Sequence, residues 1–317
     1  MSLMRPLLAF GLRAVEKRHL SRVAGPEEVR ASFARKTRIF FGPSRQVTVT
    51  PCDLGGVSAL EVDLLRAARE GASDGPVVLY VHGGGFVFGS ARTHAGMAAE
   101  IARRTGYPVY LPDYRLAPEH PFPAALEDLR AAWEAVAAEG RPVFLGGDSA
   151  GGGLVLALLA ELAEQGAAMP SQSFVFSPVT DLRFTALSIR TNARSEQVFP
   201  AARSDELAQL YLDGADPSNP RISPRFAVFP GVTPVHFFVA ETEIMRDDTL
   251  AAVAQMRQAR TGDASVVVVT SQIGLVGHAR GAAYAASKAG LNGMVKSLAL
   301  EWAAEGVRLN SVGPGPV

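Results

Sequence analysis

Short apolar runs alternate with helical stretches along most of the chain, and this alternation constrains the fold more than any other feature. Segments that look helical, such as 124–138 and the stretch after Ser149, separate the runs. The runs are VVLYV (77–81), YPVYLP (107–112), PVFLGG (142–147), SFVFSP (173–178), VHFFVA (235–240) and SVVVVTS (265–271). Such alternation is typical of a mostly parallel central sheet covered by helices on both faces. We therefore expect an α/β fold.

Two other parts of the chain depart from this rhythm. RQVTVTPCDLGG and VSALEVDLLRA, separated by glycines, predict an antiparallel pair of strands at a sheet edge. Residues 1–45 have helical periodicity, and 181–230 is longer than a usual crossover. We interpret both segments as parts of a helical cap, with core regions at 46–180 and 231–317.

The composition excludes several classes of protein. The 317 residues are 48% hydrophobic, and 31 basic side chains balance 31 acidic ones, so no net charge favours nucleic acid. No apolar run reaches the roughly 20 residues needed to cross a bilayer, and the amino terminus lacks a signal-peptide cleavage site. Cys52 is the single cysteine. We expect a cytoplasmic protein with neither a nucleic-acid nor a membrane partner, and without a disulfide or cysteine-rich metal site.

One segment has the pattern of a nucleophile elbow. PVFLGGDSAGGGLVLALL (142–159) reads as a strand, a sharp turn and a helix, with Ser149 at the turn and small residues on both sides. A nucleophile on such a turn requires small neighbours, because the strand and the helix pass very close to each other. The alternative is a glycine-rich turn without chemistry. The apolar strand and helix that flank the turn favour Ser149 as a nucleophile.

The segment HGGGF (82–86) follows the strand VVLYV directly. Glycines without side chains allow backbone N–H groups to point into a cavity, where they can stabilise an oxyanion together with the N–H after the nucleophile. We predict Gly83, Gly84 and Ala150 as these donors. His82 is predicted to brace the loop by hydrogen bonds and not to act as the base.

In combination, these motifs resemble one family. HGGGF, DYRLAPEHPFPAALED (113–128), GDSAGG, PVTDL (178–182) and YLDGADPSNPRISP (211–224) are similar to the hormone-sensitive-lipase-like carboxylesterases of the α/β-hydrolase fold. The resemblance covers the chain to about residue 258. It implies an eight-stranded sheet, a helical cap, and hydrolysis of short to medium acyl esters without metal or cofactor. It is also compatible with a homodimer paired at a sheet edge.

The resemblance implies a catalytic acid in VAETEIMRDDTLAAVAQMRQA (239–259), three or four residues before the start of a helix. That position is Glu243, where the family more commonly has aspartate. Asp247 is the second candidate, although carboxylates at a helix N-terminus also stabilise its free N–H groups. Glu241 is compatible with a solvated turn residue.

From about residue 263 the chain resembles a different family, the short-chain dehydrogenases. Ser271, Tyr284 and Lys288 match that family's catalytic residues in spacing, and Asn310-x-Val-x-Pro-Gly matches its later strand and turn. The glycine-rich turn that would bind a dinucleotide is absent from the sequence. We therefore predict a chimeric chain in which Tyr284 and Lys288 are catalytically silent.

The dehydrogenase-like segment nevertheless offers the elements that the hydrolase needs. SVVVVTS predicts a strand, a glycine-containing loop with His278 follows, and an amphipathic helix then presents apolar residues at Leu291, Met294, Val295, Leu298 and Trp302. His278 is the only histidine after Glu243, and the order Ser, acid, His is that of α/β-hydrolases. We predict His278 as the general base. The alternatives are an inactive hydrolase scaffold with a misplaced base, an NAD(P)-dependent dehydrogenase, and a misfolded chain with an unpaired sheet edge.

Overall fold

The computed structural model describes residues 11–65, 75–258, 264–269, 293, 295–297, 299–300 and 307–312. The strands are β1 Val47–Leu54, β2 Val57–Leu64, β3 Val77–Val81, β4 Val109–Pro112, β5 Val143–Asp148, β6 Gln172–Phe176, β7 Val235–Ala240, β8 Ala264–Val269 and β9 Val307–Val312. The helices are α1 Leu12–Lys17, α2 Arg18–Leu20, α3 Pro26–Phe40, α4 Ala91–Thr105, α5 Ala124–Ala137, α6 Ser149–Gln165, α7 Leu187–Thr191, α8 Ser204–Leu212 and α9 Arg246–Gln258. Short 3₁₀ turns lie at Ala201–Arg203 and Pro224–Phe226.

All described strands form one sheet in the order β1-β2-β4-β3-β5-β6-β7-β8-β9. Strands β1 and β2 form an antiparallel hairpin, β2 also runs antiparallel to β4, and the remaining neighbours are parallel. The predicted α/β architecture and the predicted antiparallel pair at the edge are both confirmed. Gly55 and Gly56 form the hairpin turn with φ of +66° and +89°, a conformation that glycine adopts without strain.

The centre of the sheet is buried on both faces. Along β3, Leu79 and Val81 pack with the α5 and α6 side chains, whereas Val78 and Tyr80 pack with the alanine-rich face of α4. The two-residue period of a strand explains this division, because neighbouring side chains point to opposite faces. Helix α6 is buried along most of its length, as its apolar sequence predicted.

The sheet has nine strands, and the expectation of eight was therefore wrong. The additional strand is β9, which comes from the dehydrogenase-like end of the chain and pairs in parallel with β8 from Ala264↔Val307 to Val269↔Val312. Strand β8 consequently has a partner on each side, β7 and β9. Among the described strands, β9 therefore forms this edge of the sheet.

The amino-terminal helices and the 181–230 segment contact each other through basic side chains. Lys17 Nζ donates to the carbonyl oxygens of Ala193 and Glu196 at 2.6 and 2.8 Å. Arg203 Nη1 donates to the carbonyl oxygens of Leu20 and Val23 at 2.9 and 2.6 Å. The two segments that we interpreted as a cap are therefore joined to each other.

Only part of the predicted closing helix is described. Val295 is buried, at 4% exposure, whereas Leu300 is 81% exposed. Leu291, Met294, Leu298 and Trp302, the other residues of the predicted apolar face, lie outside the described residues. Within the described part of the chain, no helix combines the length and the apolar character needed to cross a membrane.

Candidate active site

Ser149 lies at the junction between β5 and α6. Its φ is +52°, in the left-handed region that non-glycine residues rarely adopt. Strained backbone of this kind persists only where the surroundings fix it, and it concentrates at functional sites. Ser149 is half-buried, and α6 begins at Ser149 itself. The first N–H groups of α6 therefore lie beside its side chain without an intrahelical acceptor.

The glycines around Ser149 are required by close packing. A Cβ at Gly147 would lie 2.8 Å from the backbone of Gly151 and 2.9 Å from the Val81 carbonyl oxygen. A Cβ at Gly151 would overlap the carbonyl oxygens of Val81 and His82. Helix α6 thus passes directly against the end of β3, which the small residues of the G-D-S-A-G motif predicted.

The HGGG loop presents different N–H groups from those predicted. The buried Gly83 donates its N–H to Asp148 Oδ1 at 3.0 Å, so this N–H is engaged within the protein. Gly84 and Gly85 are partly accessible, and none of the hydrogen bonds among the described residues uses their N–H groups. In this geometry Gly83 anchors the loop, while Gly84, Gly85 and Ala150 have N–H groups free to meet an oxyanion. The three glycines could not be distinguished by sequence, because the choice depends on a contact with Asp148.

Asp148 joins the loop to the elbow through a polar network. Its Oδ1 accepts hydrogen bonds from Gly83 N–H and the Tyr80 hydroxyl, both at 3.0 Å, and lies 3.7 Å from His94 Nε2. Burial raises the pKa of Asp148, but the nearby His94 ring and the Tyr80 hydroxyl outweigh burial and leave this pKa below its usual value. Asp148 is therefore ionised at neutral pH and can accept from both the loop and the strand.

His82 is a bracing residue, as predicted. It is 1% exposed, its Nδ1 lies 2.8 Å from the Gly83 carbonyl oxygen, and its ring stacks on Tyr114 with centroids 4.2 Å apart. Burial is the main cause that lowers the pKa of His82 to about 3. The ring is thus neutral and buried, which excludes an imidazolium role at this position.

Glu243 lies three residues after β7, at the same edge of the sheet as the end of β5. Its Oε1 accepts from Ala240 N–H at 3.4 Å, and the Ser177 hydroxyl also donates to its carboxylate. Burial raises the pKa of Glu243, the Ser177 hydrogen bond opposes that rise, and nearby Glu196 adds to it. Ser177 follows β6 with a φ of +45°, a second strained position beside the site. The contact between Ser177 and Glu243 was not foreseen from the sequence.

The other candidate acids have structural partners. Asp247 Oδ2 accepts from Ser188 N–H at 2.9 Å, and its Oδ1 pairs with Arg246 Nε at 2.8 Å. Glu241 pairs with Arg246 Nη1 at 2.7 Å. These contacts support the order in which Glu243 precedes Asp247 as the candidate acid.

The remaining predicted residues of the site, namely His278, Ser271, Tyr284 and Lys288, lie outside the described residues. Strand β8 is described to Val269, which lies beside Ala240 of β7 in a parallel pair. The chain therefore leaves β8 at the edge of the sheet that carries Glu243.

A small apolar cleft opens beside the HGGG loop. Its wall includes Val87 and Phe88 from the loop, Leu207 and Leu210 from α8, and residues of the amino-terminal helices. Arg203 and Glu206 are its charged residues, and they pair with each other. Within the ranges described, no three His, Cys, Asp or Glu side chains are arranged to bind a metal ion.

Comparison with known proteins decides the family. The α/β-hydrolase fold family matches residues 78–279. The chain belongs to the α/β-hydrolases. An esterase of Acinetobacter venetianus is 32% identical to this hydrolase, and the match covers 71% of this chain and 73% of the relative. An acetyl-hydrolase of Streptomyces hygroscopicus is 35% identical over 64% of this chain and 68% of the relative.

Solved structures place this hydrolase in the hormone-sensitive-lipase branch. The crystal structure of a bacterial esterase from that family superposes with a TM-score of 0.76 at 33% identity, covering 84% of this chain and 88% of the other. The short-chain dehydrogenase family also matches, over residues 248–317. The two family matches overlap at 248–279, a range that includes His278 and all of α9 except its first two residues.

Proposed function

We propose that this hydrolase is a carboxylesterase that cleaves short to medium acyl esters through a covalent acyl-enzyme. The observation that carries the proposal is the left-handed backbone of Ser149 at the start of α6. This conformation is the mark of a nucleophile elbow, and its position beside unengaged loop N–H groups is suited to acyl transfer. The esterase and acetyl-hydrolase relatives support the same reaction class.

The mechanism assigns one role to each residue. Ser149 Oγ attacks the ester carbonyl carbon while His278 accepts the hydroxyl proton, and the carbonyl oxygen becomes an oxyanion. The N–H groups of Ala150, Gly84 and Gly85 stabilise that oxyanion. The carbon–oxygen bond to the alcohol then breaks, and His278 returns the proton to the leaving alcohol. Water repeats the sequence on the acyl-enzyme and releases the acid.

Three observations support His278 as the base and Glu243 as the acid that orients it. The order along the chain is Ser149, Glu243, His278, as in other α/β-hydrolases. The hydrolase family match extends to residue 279 and so includes His278. The chain also leaves β8 beside the end of β7, close to the start of the loop that carries Glu243.

We also infer that the carboxyl-terminal segment from about residue 263 derives from a short-chain dehydrogenase and completes the hydrolase sheet. The dehydrogenase match over 248–317 and the parallel β8–β9 pair support this origin. Hydride transfer by this chain would require a dinucleotide site, and the sequence lacks the glycine-rich turn that forms one. The proposed substrate of this hydrolase is a small-molecule ester.

The test is p-nitrophenyl butyrate hydrolysis by the wild type and by Ser149→Ala, His278→Ala and Glu243→Gln variants. We expect Ser149→Ala and His278→Ala to lower kcat by about a thousandfold or more. The matched controls are Ser171→Ala and His120→Ala, which change exposed side chains and should retain wild-type rates. Normal hydrolysis by Ser149→Ala would contradict the proposed nucleophile.

Two further measurements distinguish the proposed esterase from an inactive scaffold and from a dehydrogenase. An inactive scaffold predicts a folded wild type whose Ser149 does not react with an organophosphate, as measured by mass spectrometry. A dehydrogenase predicts saturable binding of NADH or NADPH in a fluorescence titration. We expect labelling of Ser149 and no saturable nucleotide binding.

A further inference from the structure

The loop that carries Glu243 is held by hydrogen bonds to four of its successive backbone carbonyls. We call residues 241–245 the acid loop and residues 187–198 the cap segment. The carbonyl oxygens of residues 241, 242, 243 and 244 each accept a hydrogen bond from a side chain of the cap segment. A loop that follows a strand usually has its carbonyls solvated or bonded locally, so this row of contacts needs an explanation.

Asn192 makes two of these contacts with one amide group. Its Nδ2 donates to the Glu241 carbonyl oxygen at 2.9 Å and to the Glu243 carbonyl oxygen at 2.8 Å. Both amide hydrogens are therefore used on the residues that bracket the turn. Because an amide group is planar, the two bonds fix the spacing of these carbonyls and the path of the backbone at Glu243.

Serine side chains of the cap segment bond the other two carbonyls. Ser195 Oγ lies 3.0 Å from the Thr242 carbonyl oxygen, and Ser188 Oγ donates to the Ile244 carbonyl oxygen at 2.6 Å. Glu196, only 8% exposed, accepts from the Ile244 N–H at 3.2 Å and from the Val198 N–H at 2.9 Å. The cap segment thus both donates hydrogen bonds to the acid loop and accepts one from it.

The acid loop has few hydrogen bonds of its own. Glu243 N–H donates to the Ala240 carbonyl oxygen at 3.1 Å, and Arg246 N–H donates to the Glu243 carbonyl oxygen at 3.4 Å. The cap segment therefore supplies more bonds to the loop than the loop supplies to itself. The orientation of the Glu243 carboxylate depends on the backbone that these bonds hold.

We propose that the cap segment is a clamp on the acid loop and that Asn192 is a positioning residue for the acid of the triad. The inference rests on the proposed function, in which Glu243 orients His278. Asn192 acts through the backbone of Glu243 and has no contact with substrate in this proposal. The cap thereby contributes to the rate of the chemical step as well as covering the core.

The test compares Asn192→Ala with Arg194→Ala in p-nitrophenyl butyrate hydrolysis. Arg194 is exposed in the same segment, and among the described residues its side chain makes no hydrogen bond or ion pair with the acid loop. Small displacements of a catalytic group lower rates steeply, on the order of a hundredfold for about 1 Å. We expect Asn192→Ala to lower kcat between about tenfold and a hundredfold with KM changed less than about twofold, and Arg194→Ala to match the wild type.

Two further readouts distinguish positioning from general loss of structure. A carboxylate near an imidazole raises the pKa of the imidazole, so a displaced Glu243 should move the acid limb of kcat/KM to lower pH, by about half a unit or more. In a Glu243→Gln background, Asn192→Ala should have no additional effect on kcat, because it acts through Glu243. Asn192→Ser, which retains one donor, should fall between the wild type and Asn192→Ala.

The outcomes separate this inference from the proposed function. An inactive wild type, or hydrolysis that Glu243→Gln leaves unchanged, overturns both. Loss of activity in Glu243→Gln combined with wild-type kinetics and pH profile in Asn192→Ala overturns the clamp alone. Equal and additive losses in the two backgrounds would also overturn it.

Discussion

The Asp148 carboxylate accepts the Gly83 N–H at 3.0 Å, so the residue that precedes the elbow serine holds the first glycine of the HGGG loop. The same oxygen accepts from the Tyr80 hydroxyl at 3.0 Å. The two halves of the proposed oxyanion site, one on α6 and one on the loop, are thereby fixed to each other through a single ionised side chain.

Removal of this connection should lower the rate of hydrolysis. Asp148→Ala leaves the loop without its anchor, and we expect kcat to fall by about ten- to a hundredfold because the loop donors lose their positions. Asp148→Asn retains an acceptor for the Gly83 N–H, so its kcat should fall much less. Tyr80→Phe is the matched control. It removes the hydroxyl that bonds Asp148 and Met97 while leaving the Gly83 anchor, and should cost about 1 kcal/mol of stability at near-normal kcat. Wild-type kcat in Asp148→Ala would contradict this role.

The close approach of α6 to β3 predicts a strong effect at Gly151. Gly151→Ala forces a methyl group against the carbonyl oxygens of Val81 and His82, and we expect a loss of about 2–3 kcal/mol or more in the free energy of unfolding. Gly25→Ala is the comparison, because a Cβ there has no neighbour within 4 Å. Denaturant unfolding should show a change of less than about 1 kcal/mol at Gly25. Equal stabilities of the two variants would contradict the packing argument.

Asp248 should make stability depend on pH. It is fully buried, and its two carboxylate oxygens have no hydrogen-bond partner among the described residues. Burial, followed by the charge of Asp181, raises the pKa of Asp248 to about 7, although Arg225 Nη1 lies 3.8 Å away. Between the usual carboxylate pKa near 4 and pH 7, the folded state keeps a proton that the unfolded state has lost. Stability from this group is therefore complete below about pH 4 and is lost as the pH rises to about 7.

Asp248→Asn removes that dependence, because the amide does not titrate. In denaturant unfolding from pH 5 to pH 7, the wild type should lose up to about 1.4 kcal/mol per pH unit relative to the variant. Above about pH 7.5 the difference should become constant. Parallel stability curves across the whole range would show that Asp248 has no raised pKa.

We propose the apolar cleft near the HGGG loop as the site that selects acyl length. Phe199 lines the cleft, and Phe199→Ala should enlarge it. Since each buried methylene contributes about 0.8 kcal/mol, we expect the ratio of kcat/KM for p-nitrophenyl hexanoate over acetate to rise by about tenfold. Val198→Ala is the control, because Val198 neighbours Phe199 in the chain without lining the cleft. An unchanged ratio in Phe199→Ala would exclude this cleft as the acyl site.

Eight of the nine described strands, the elbow and the family are recognisable in the amino-acid sequence. Apolar runs with β-branched residues correspond closely to β3–β8, because a buried parallel strand requires continuous apolar sequence. The glycines around Ser149 were informative because only a residue without a Cβ fits where α6 meets β3. Glu243 is the candidate acid because the family resemblance implies an acid three or four residues before the helix that is α9.

Which backbone and side-chain groups are engaged in hydrogen bonds, and which are free, depends on contacts between segments distant in sequence. Gly83, Gly84 and Gly85 are the same residue type in the sequence. Their roles differ because Asp148, 65 positions away from Gly83, accepts the Gly83 N–H. The contacts of Glu243 with Ser177 and of its backbone with Asn192 likewise join segments distant in sequence. The pairing of β9 with β8 belongs to the same class, because the two strands are separated by the intervening dehydrogenase-like segment. Local periodicity indicates which face of each segment is buried, whereas hydrogen-bond partners are determined only when segments distant in sequence pack against each other.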